Sequence, residues 1–181
     1  MCNNGSTTAL PGATVATNTM ASISNEIRPL DELELRAWRG LLRTHAVLVK
    51  RLDAELESAH GLPLTSYEVL LHLAKAQDCK MRMCDVAESV LLSRSGLTRL
   101  VDRLERDGYV ERVSCADDAR GAFARLTDAG RAKLEAASTT HLEGIRQHFL
   151  AHFEPSELAL LAEAWERVAG PGGHPSCTTQ T

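Results

Sequence analysis

A short stretch near the middle of the chain carries the side chains with the clearest chemistry. Ser93 is followed at helical spacing by polar residues that share one face, namely Arg94, Ser95, Thr98, Arg99 and Arg103. An arginine fork can hydrogen-bond to a guanine edge or to a phosphate, and hydroxyl groups can serve either partner. The opposite face is apolar, with Leu97, Leu100, Val101 and Leu104. The pattern predicts an amphipathic helix that can contact the major groove of a nucleic acid.

The same helix also fits a plainer alternative, an ordinary solvated surface. Asp102 and Arg106 stand four residues apart and can form an ion pair of the kind that such helices carry. The net charge of −4 argues against a protein that coats nucleic acid through bulk electrostatics. Residues 93–125 nevertheless form a positive segment in which every basic residue is an arginine. The helix alone leaves both interpretations open.

A second candidate contact lies between two segments of alternating polarity, 109–113 and 122–126. We predict a hairpin with Asp117–Gly121 as its long charged tip. An arginine at such a tip, Arg120, can enter a minor groove, and Asp118 can orient its guanidinium group through a charge-assisted hydrogen bond. The alternative is an Asp-rich turn that happens to contain an arginine.

The elements that position these residues follow from the apolar spacing and from the cap residues. The predicted helices, in chain order, are 31–60, a short one opened by a capping box at Thr65–Glu68, 85–90, one from Ser93 to Asp107, one after Thr127 and one after Pro155. Two short helices joined by a tight turn and followed by a hairpin form a winged helix-turn-helix. The predicted fold class is therefore mainly α with a small β-wing.

Composition excludes several other classes of protein. The five cysteines are an odd number, and two of them, Cys2 and Cys177, lie near the termini, so a secreted disulfide framework is not expected. No segment resembles a signal peptide or a membrane span, which predicts a cytoplasmic protein. Residues 1–29 and 170–181 have the composition of disordered tails, and Met20 is an alternative start. No phosphate-binding loop or metal-spaced cluster is present, so neither an enzyme nor a cofactor is predicted.

Two stretches carry a resemblance to a known family. Residues 83–112 read MCDVAESVLLSRSGLTRLVDRLERDGYVER, and residues 117–131 read DDARGAFARLTDAGR. Together they resemble the MarR family of bacterial transcriptional regulators. The residues that match its wing and the start of the next helix are Asp118, Arg120, Leu126, Thr127 and Gly130. One departure is Cys84, which stands where the family commonly has a hydroxyl cap, so we expect a less well capped helix there.

The resemblance implies a homodimer that binds double-stranded DNA at a palindromic operator. Two winged heads would occupy successive major grooves, and the wings would reach the flanking minor grooves. In the folded region, 30–169, the head would be 62–126, and residues 30–61 and 127–169 would supply the dimerisation helices. Family members usually repress transcription until a small molecule, often an aromatic acid, binds between the head and the dimerisation helices.

Candidate effector-binding residues lie on the first two helices. Trp38 and His45 fall on the apolar side of the first helix, His72 lies in the second, and Arg39 or Arg43 can receive a carboxylate. The alternative is that these residues form a dimer core or pack helices together.

Other possibilities remain open at this point. Cys79, Cys84 or Cys115 could make the protein a thiol-based redox regulator, although incidental thiols are the simpler interpretation. His148 and His152 stand four apart and could hold a metal, but placement near a helix C-terminus also explains them. The competing class of function is a winged-helix module that binds protein rather than DNA.

Overall fold

The computed structural model describes residues 28–115 and 118–170. For residues 114, 115 and 118–121 it describes the backbone but not the side chains. The predicted tails 1–29 and 170–181 lie outside the described residues apart from positions 28, 29 and 170. The elements, in chain order, are α1 Glu32–His60, α2 Leu64–Lys75, β1 Lys80–Arg82, α3 Met83–Ser89, α4 Arg94–Arg106, β2 Val110–Cys115, β3 Asp118–Leu126, α5 Asp128–His148 and α6 Pro155–Ala169. The predicted fold, mainly α with a small wing, is confirmed.

Helix α1 begins and ends on local signals. The Asp31 side chain accepts a hydrogen bond from the Glu34 N–H at 2.9 Å, and the Glu34 carboxylate accepts one from the Asp31 N–H at 2.8 Å. At the other end Gly61 has a φ of +58°, a left-handed conformation that glycine adopts without steric cost. The long first helix is therefore confirmed.

The predicted capping box of the second helix is wrong. Helix α2 begins at Leu64, directly after Pro63, so Thr65 already lies inside the helix. The Leu64 N–H donates instead to the carboxylate of Asp53 in α1, at 2.8 Å. A side chain from a neighbouring helix thus supplies the acceptor that a local residue was expected to provide.

The head places a helix-turn-helix against a three-stranded antiparallel sheet of order β1-β3-β2. Helix α3 begins at Met83, two residues earlier than predicted, with Arg82 as its N-cap residue and no side-chain cap bond. Cys84, the expected cap position, therefore lies inside the helix. Ser93 caps α4 as predicted, because its Oγ accepts from the Gly96 N–H at 3.1 Å. In the central strand β3, Phe123 pairs with Arg82 of β1.

The hairpin differs from its predicted shape. Strand β2 continues to Cys115 and β3 begins at Asp118, so the prediction of a five-residue loop over 117–121 is wrong. Asp118 and Arg120 belong to β3, and Cys115 pairs with Asp118 across an irregular register. The alternating pattern of residues 109–113 and 122–126 underestimates the length of the two strands, because backbone pairing continues past the last alternating side chains.

The core lies inside the head and at its junction with α1 and α5. It extends from Leu56 near the end of α1 through α2, α3, α4 and the sheet to Leu134 and Ala137 in α5. Helix α6, by contrast, buries none of its residues. The head therefore has its own core, whereas much of α1 and all of α6 leave apolar side chains exposed.

Candidate nucleic-acid interface

The exposed face of α4 is held in place by the buried one. Leu97, Leu100, Val101 and Leu104 are buried in the core, which leaves Arg94, Ser95, Thr98 and Arg99 at the surface. The Thr98 hydroxyl donates to the Arg94 carbonyl oxygen at 2.9 Å and keeps its lone pairs for another donor. The structure thus brings the predicted α4 residues onto one accessible face.

Part of this face forms a cavity of about 400 Å³ between α2 and α4. Its polar lining consists of Thr65, Ser93, Ser95, Arg99 and Arg103. The Arg103 Nη2 donates to the buried Ser66 Oγ at 3.4 Å, so this arginine also links α4 to α2. Hydroxyl groups and guanidinium groups together make a surface that can bind phosphate oxygens.

Other arginines of the positive segment are neutralised by carboxylates. Arg112 in β2 contacts Asp102 at 2.5 Å and also Glu105, and the Asp102 hydrogen bond is the main reason that the pKa of Arg112 is raised. Arg125 similarly contacts Glu111 at 2.7 Å. These ion pairs fasten the wing to α4 and hold β2 to β3.

The predicted Asp102–Arg106 ion pair is not formed, because the Arg106 Nε donates to the Asp102 backbone oxygen and the carboxylate goes to Arg112. Within the described part of the chain, neither Arg94 nor Arg99 has a carboxylate partner. Their charges therefore remain accessible to an anion.

A second cavity, of about 340 Å³, lies on the other side of α4, against the wing. Its lining includes Arg82, Arg94, Thr98 and Ala122. The Arg82 guanidinium carbon lies 5.4 Å from the centre of the Phe123 ring, a cation–π distance. Arg82 was missed by the sequence analysis, since only the pairing of β1 with β3 brings it beside α4.

The two predicted wing residues are located by their backbones alone. Asp118 and Arg120 lie near the start of β3, next to the hairpin tip, as their order in the chain requires. Their side chains fall outside the described residues. Their roles in the wing therefore stay predictions.

The predicted effector residues do not meet in one cavity. Arg43 lines a cavity of about 480 Å³ between α1 and the end of α5, together with Arg51, His148 and Phe149. Trp38, Arg39, His45 and His72 are not among the residues that line it. Trp38 is 53% exposed, and Arg39 and His45 are also at the surface of α1.

Three of the predicted metal and thiol residues, His148, Cys79 and Cys84, have protein partners. His148 Nε2 lies 2.5 Å from Glu55 Oε1, and no group of three potential metal ligands occurs among the described residues. The Arg131 Nη2 donates to Cys79 Sγ at 2.8 Å, and the Cys84 thiol donates to Asp85 at 3.2 Å. The side chain of Cys115 is not among those that the structure describes.

Within the described ranges, no helix combines the length and apolarity that a membrane crossing needs.

Comparisons with known proteins agree with this arrangement. A model of the MarR family matches residues 60–121. The HTH-type transcriptional repressor YetL of Bacillus subtilis is 24% identical over 115 residues, which cover 62% of this chain and 69% of that protein.

Two solved structures from Streptomyces coelicolor are 32% identical to the chain. The MarR family regulator AbsC has a TM-score of 0.74, with 78% of this chain and 95% of that one covered. Sco3205, a MarR family regulator in complex with DNA, also has a TM-score of 0.74, with 80% and 96% covered. The family model falls on the helix-turn-helix and part of the wing, and the two structural similarities extend over 78% and 80% of the chain. The chain therefore belongs to the MarR family of transcriptional regulators.

Proposed function

We propose that the protein is a homodimeric repressor that binds a palindromic operator in double-stranded DNA and is released by a small anionic effector. The observation that carries DNA binding is the exposed face of α4, where Arg94 and Arg99 keep accessible charges at the N-terminal end of a helix capped by Ser93. In an otherwise acidic protein, this is a localised basic surface beside hydroxyl donors. Head residues 62–126 would supply the contacts, and the protein would act in the cytoplasm.

The groove contacts are assigned to Ser93, Arg94, Ser95, Thr98, Arg99 and Arg103. Arg94 and Arg99 would read base edges or phosphates, whereas Arg103 would contact phosphate while it remains hydrogen-bonded to Ser66. In the wing, Arg120 would enter the minor groove and Asp118 would orient it.

Dimerisation is supported by the apolar surface outside the head. Large hydrophobic side chains are exposed along α1, on α5 and on α6: Leu33, Trp38, Leu41, Leu42, Val47, Val49, Leu142, Leu160, Trp165 and Val168. Exposed apolar surface of this extent is typical of a subunit interface. Residues 30–61 and 127–169 would thus form the dimer, and a two-fold symmetric dimer fits a palindromic site.

The effector is assigned to the cavity beside Arg43. The guanidinium groups of Arg43 and Arg51 and the ring of Phe149 line this cavity, a combination suited to an aromatic carboxylate. Trp38, Arg39, His45 and His72 would contribute only through the dimer, since they lie outside this cavity in one protomer. An effector that changes the spacing of the two heads would lower operator affinity.

The experiment that tests DNA binding is a titration of the dimer against the duplex upstream of its own gene at two salt concentrations. We expect tight binding that weakens steeply with salt, because each phosphate contact releases counterions. The Arg94→Ala/Arg99→Ala double variant should bind more weakly and with a smaller salt dependence, because it lacks two of the proposed contacts in each head. A folded wild-type dimer without salt-sensitive affinity for this duplex or for a random pool would favour a protein-binding module instead.

A further inference from the structure

The cavity between α4 and the wing lies where the DNA backbone has to pass. A recognition helix in the major groove and a wing in the adjacent minor groove stand on either side of one sugar–phosphate strand, because that strand separates the two grooves. In this protein, the surface between them is the cavity whose lining includes Arg82, Arg94, Thr98 and Ala122. Its lining thus contains two arginines, Arg82 and Arg94.

Arg82 is positioned for this cavity by three features. Its place in β1, opposite Phe123 of β3, fixes its backbone beside the wing. Its guanidinium group lies over the Phe123 ring at 5.4 Å, which restricts the side chain before any ligand binds. Its side chain is exposed and lines the cavity.

A further observation is that Arg82 occupies a helix N-cap position without acting as a cap. It is the N-cap residue of α3 and makes no side-chain capping hydrogen bond. Serine, threonine, aspartate and asparagine stabilise this position, whereas arginine has no acceptor to offer. An arginine here therefore does not stabilise the start of α3 by capping it.

We propose that Arg82 binds, together with Arg94, a backbone phosphate of the DNA strand that separates the major groove occupied by α4 from the minor groove occupied by the wing. This contact rests on the proposed DNA binding and adds a residue outside the recognition helix to it. It fixes the head on the backbone and reads no base, so its contribution is the same on specific and on random duplexes.

The test uses the substitution Arg82→Ser in the full-length dimer. Serine removes the charge and supplies the missing cap, so the variant should unfold at a temperature no lower than that of the wild type. Its affinity for duplex DNA should nevertheless fall by about five- to tenfold at physiological salt, and the slope of log affinity against log salt should decrease by about two, one for each head of the dimer. A gain in helix capping with a loss of DNA affinity is an outcome that a structural role of Arg82 does not produce.

Lys80→Ser is the matched control. Lys80 lies on the same strand, carries the same charge and pairs with Asp78 at 3.6 Å, but it does not line the cavity. Its replacement should leave the salt slope unchanged. Arg82→Gln introduces a shorter, uncharged polar side chain that is not among the favoured N-cap residues. It should reproduce the slope of Arg82→Ser, which separates the loss of charge from the effect of the new cap.

The two proposals fail in distinguishable ways. If the wild type binds duplex DNA with a steep salt dependence and both Arg82 variants retain its affinity and slope, the Arg82 contact is overturned and the proposed function stands. If the Arg82 variants lose affinity on one sequence only, Arg82 reads bases and the phosphate assignment is wrong. If the wild type itself shows no salt-sensitive binding, DNA binding and the Arg82 contact fall together.

Discussion

Arg99 lies on the exposed face of α4 and lines the cavity toward α2, with no carboxylate partner among the described residues. Arg99→Ala should therefore weaken operator binding by about 1–3 kcal/mol, the value of a well-placed arginine contact to a base. Arg106→Ala is the control, because Arg106 is at the end of the same helix and donates to the Asp102 backbone. Fluorescence anisotropy on the operator measures both, and equal effects of the two changes would contradict the role of Arg99.

His141 belongs to the junction between α2 and α5, where its ring lies 4.5 Å from that of Tyr67. Burial lowers the pKa of His141 from the ordinary 6.5, and its Nδ1 is buried without a hydrogen-bond partner among the described residues. The unfolded chain thus takes up this proton at higher pH than the folded protein. The stability present above pH 6.5 is therefore lost as the pH falls through the lowered pKa of the folded state.

His141→Phe should make the free energy of unfolding less dependent on pH on the acid side of neutrality, because phenylalanine cannot take up the proton. Urea unfolding at pH 7.5 and at pH 5 measures this difference. His152→Gln is the control, since His152 is exposed and its removal should leave the pH dependence close to that of the wild type. An undiminished acid-side loss in His141→Phe would contradict the assignment.

At the scale of elements, the start of α5 depends on a close approach of two backbones. A Cβ atom on Gly130 would lie 2.1 Å from the Tyr109 carbonyl oxygen and 2.8 Å from Leu126 Cδ1. Gly130→Ala should therefore destabilise the fold by about 2–3 kcal/mol, as overpacking against a backbone does. The exposed neighbour provides the control, and Ala129→Ser should change stability by less than about 0.5 kcal/mol. Chemical unfolding that shows equal stability for the two variants would refute this packing.

The elements that local signals define could be predicted from sequence. Asp31 and Gly61 bound α1, and Ser93 and Gly108 bound α4, because each of these residues acts within a few positions of itself. The start of α2 could not be predicted, since its acceptor, Asp53, comes from another helix.

In the candidate site, too, the features that depend on contacts between distant elements could not be predicted from the sequence. The arginines and hydroxyls of α4 follow from their spacing along one helix. The position of Arg82 beside them follows only from the pairing of β1 with β3, two strands more than thirty residues apart in sequence. The length of the wing strands also depends on that sheet and not on alternation alone.

At the scale of the whole molecule, α6 has no buried residue and exposes apolar side chains that the proposed dimer would cover. Leu160 is 67% and Val168 80% exposed. The double variant Leu160→Asp/Val168→Asp should sediment as a monomer and lose about a hundredfold or more in affinity for a duplex with two half-sites, because the second head no longer benefits from effective concentration. Leu91→Asp replaces a 93% exposed leucine in the head and should leave the sedimenting mass unchanged. A double variant that remains dimeric would exclude α6 from the interface.

The most direct measurement is selection of binding sites by the full-length protein from a random pool of duplex DNA. Two heads related by a two-fold axis should enrich an inverted repeat whose half-site centres lie about one helical turn, or 10 base pairs, apart. Enrichment of such a repeat, lost in Arg94→Ala/Arg99→Ala, is the result that we predict. A pool that a folded protein leaves unenriched in any sequence would contradict recognition of DNA by α4.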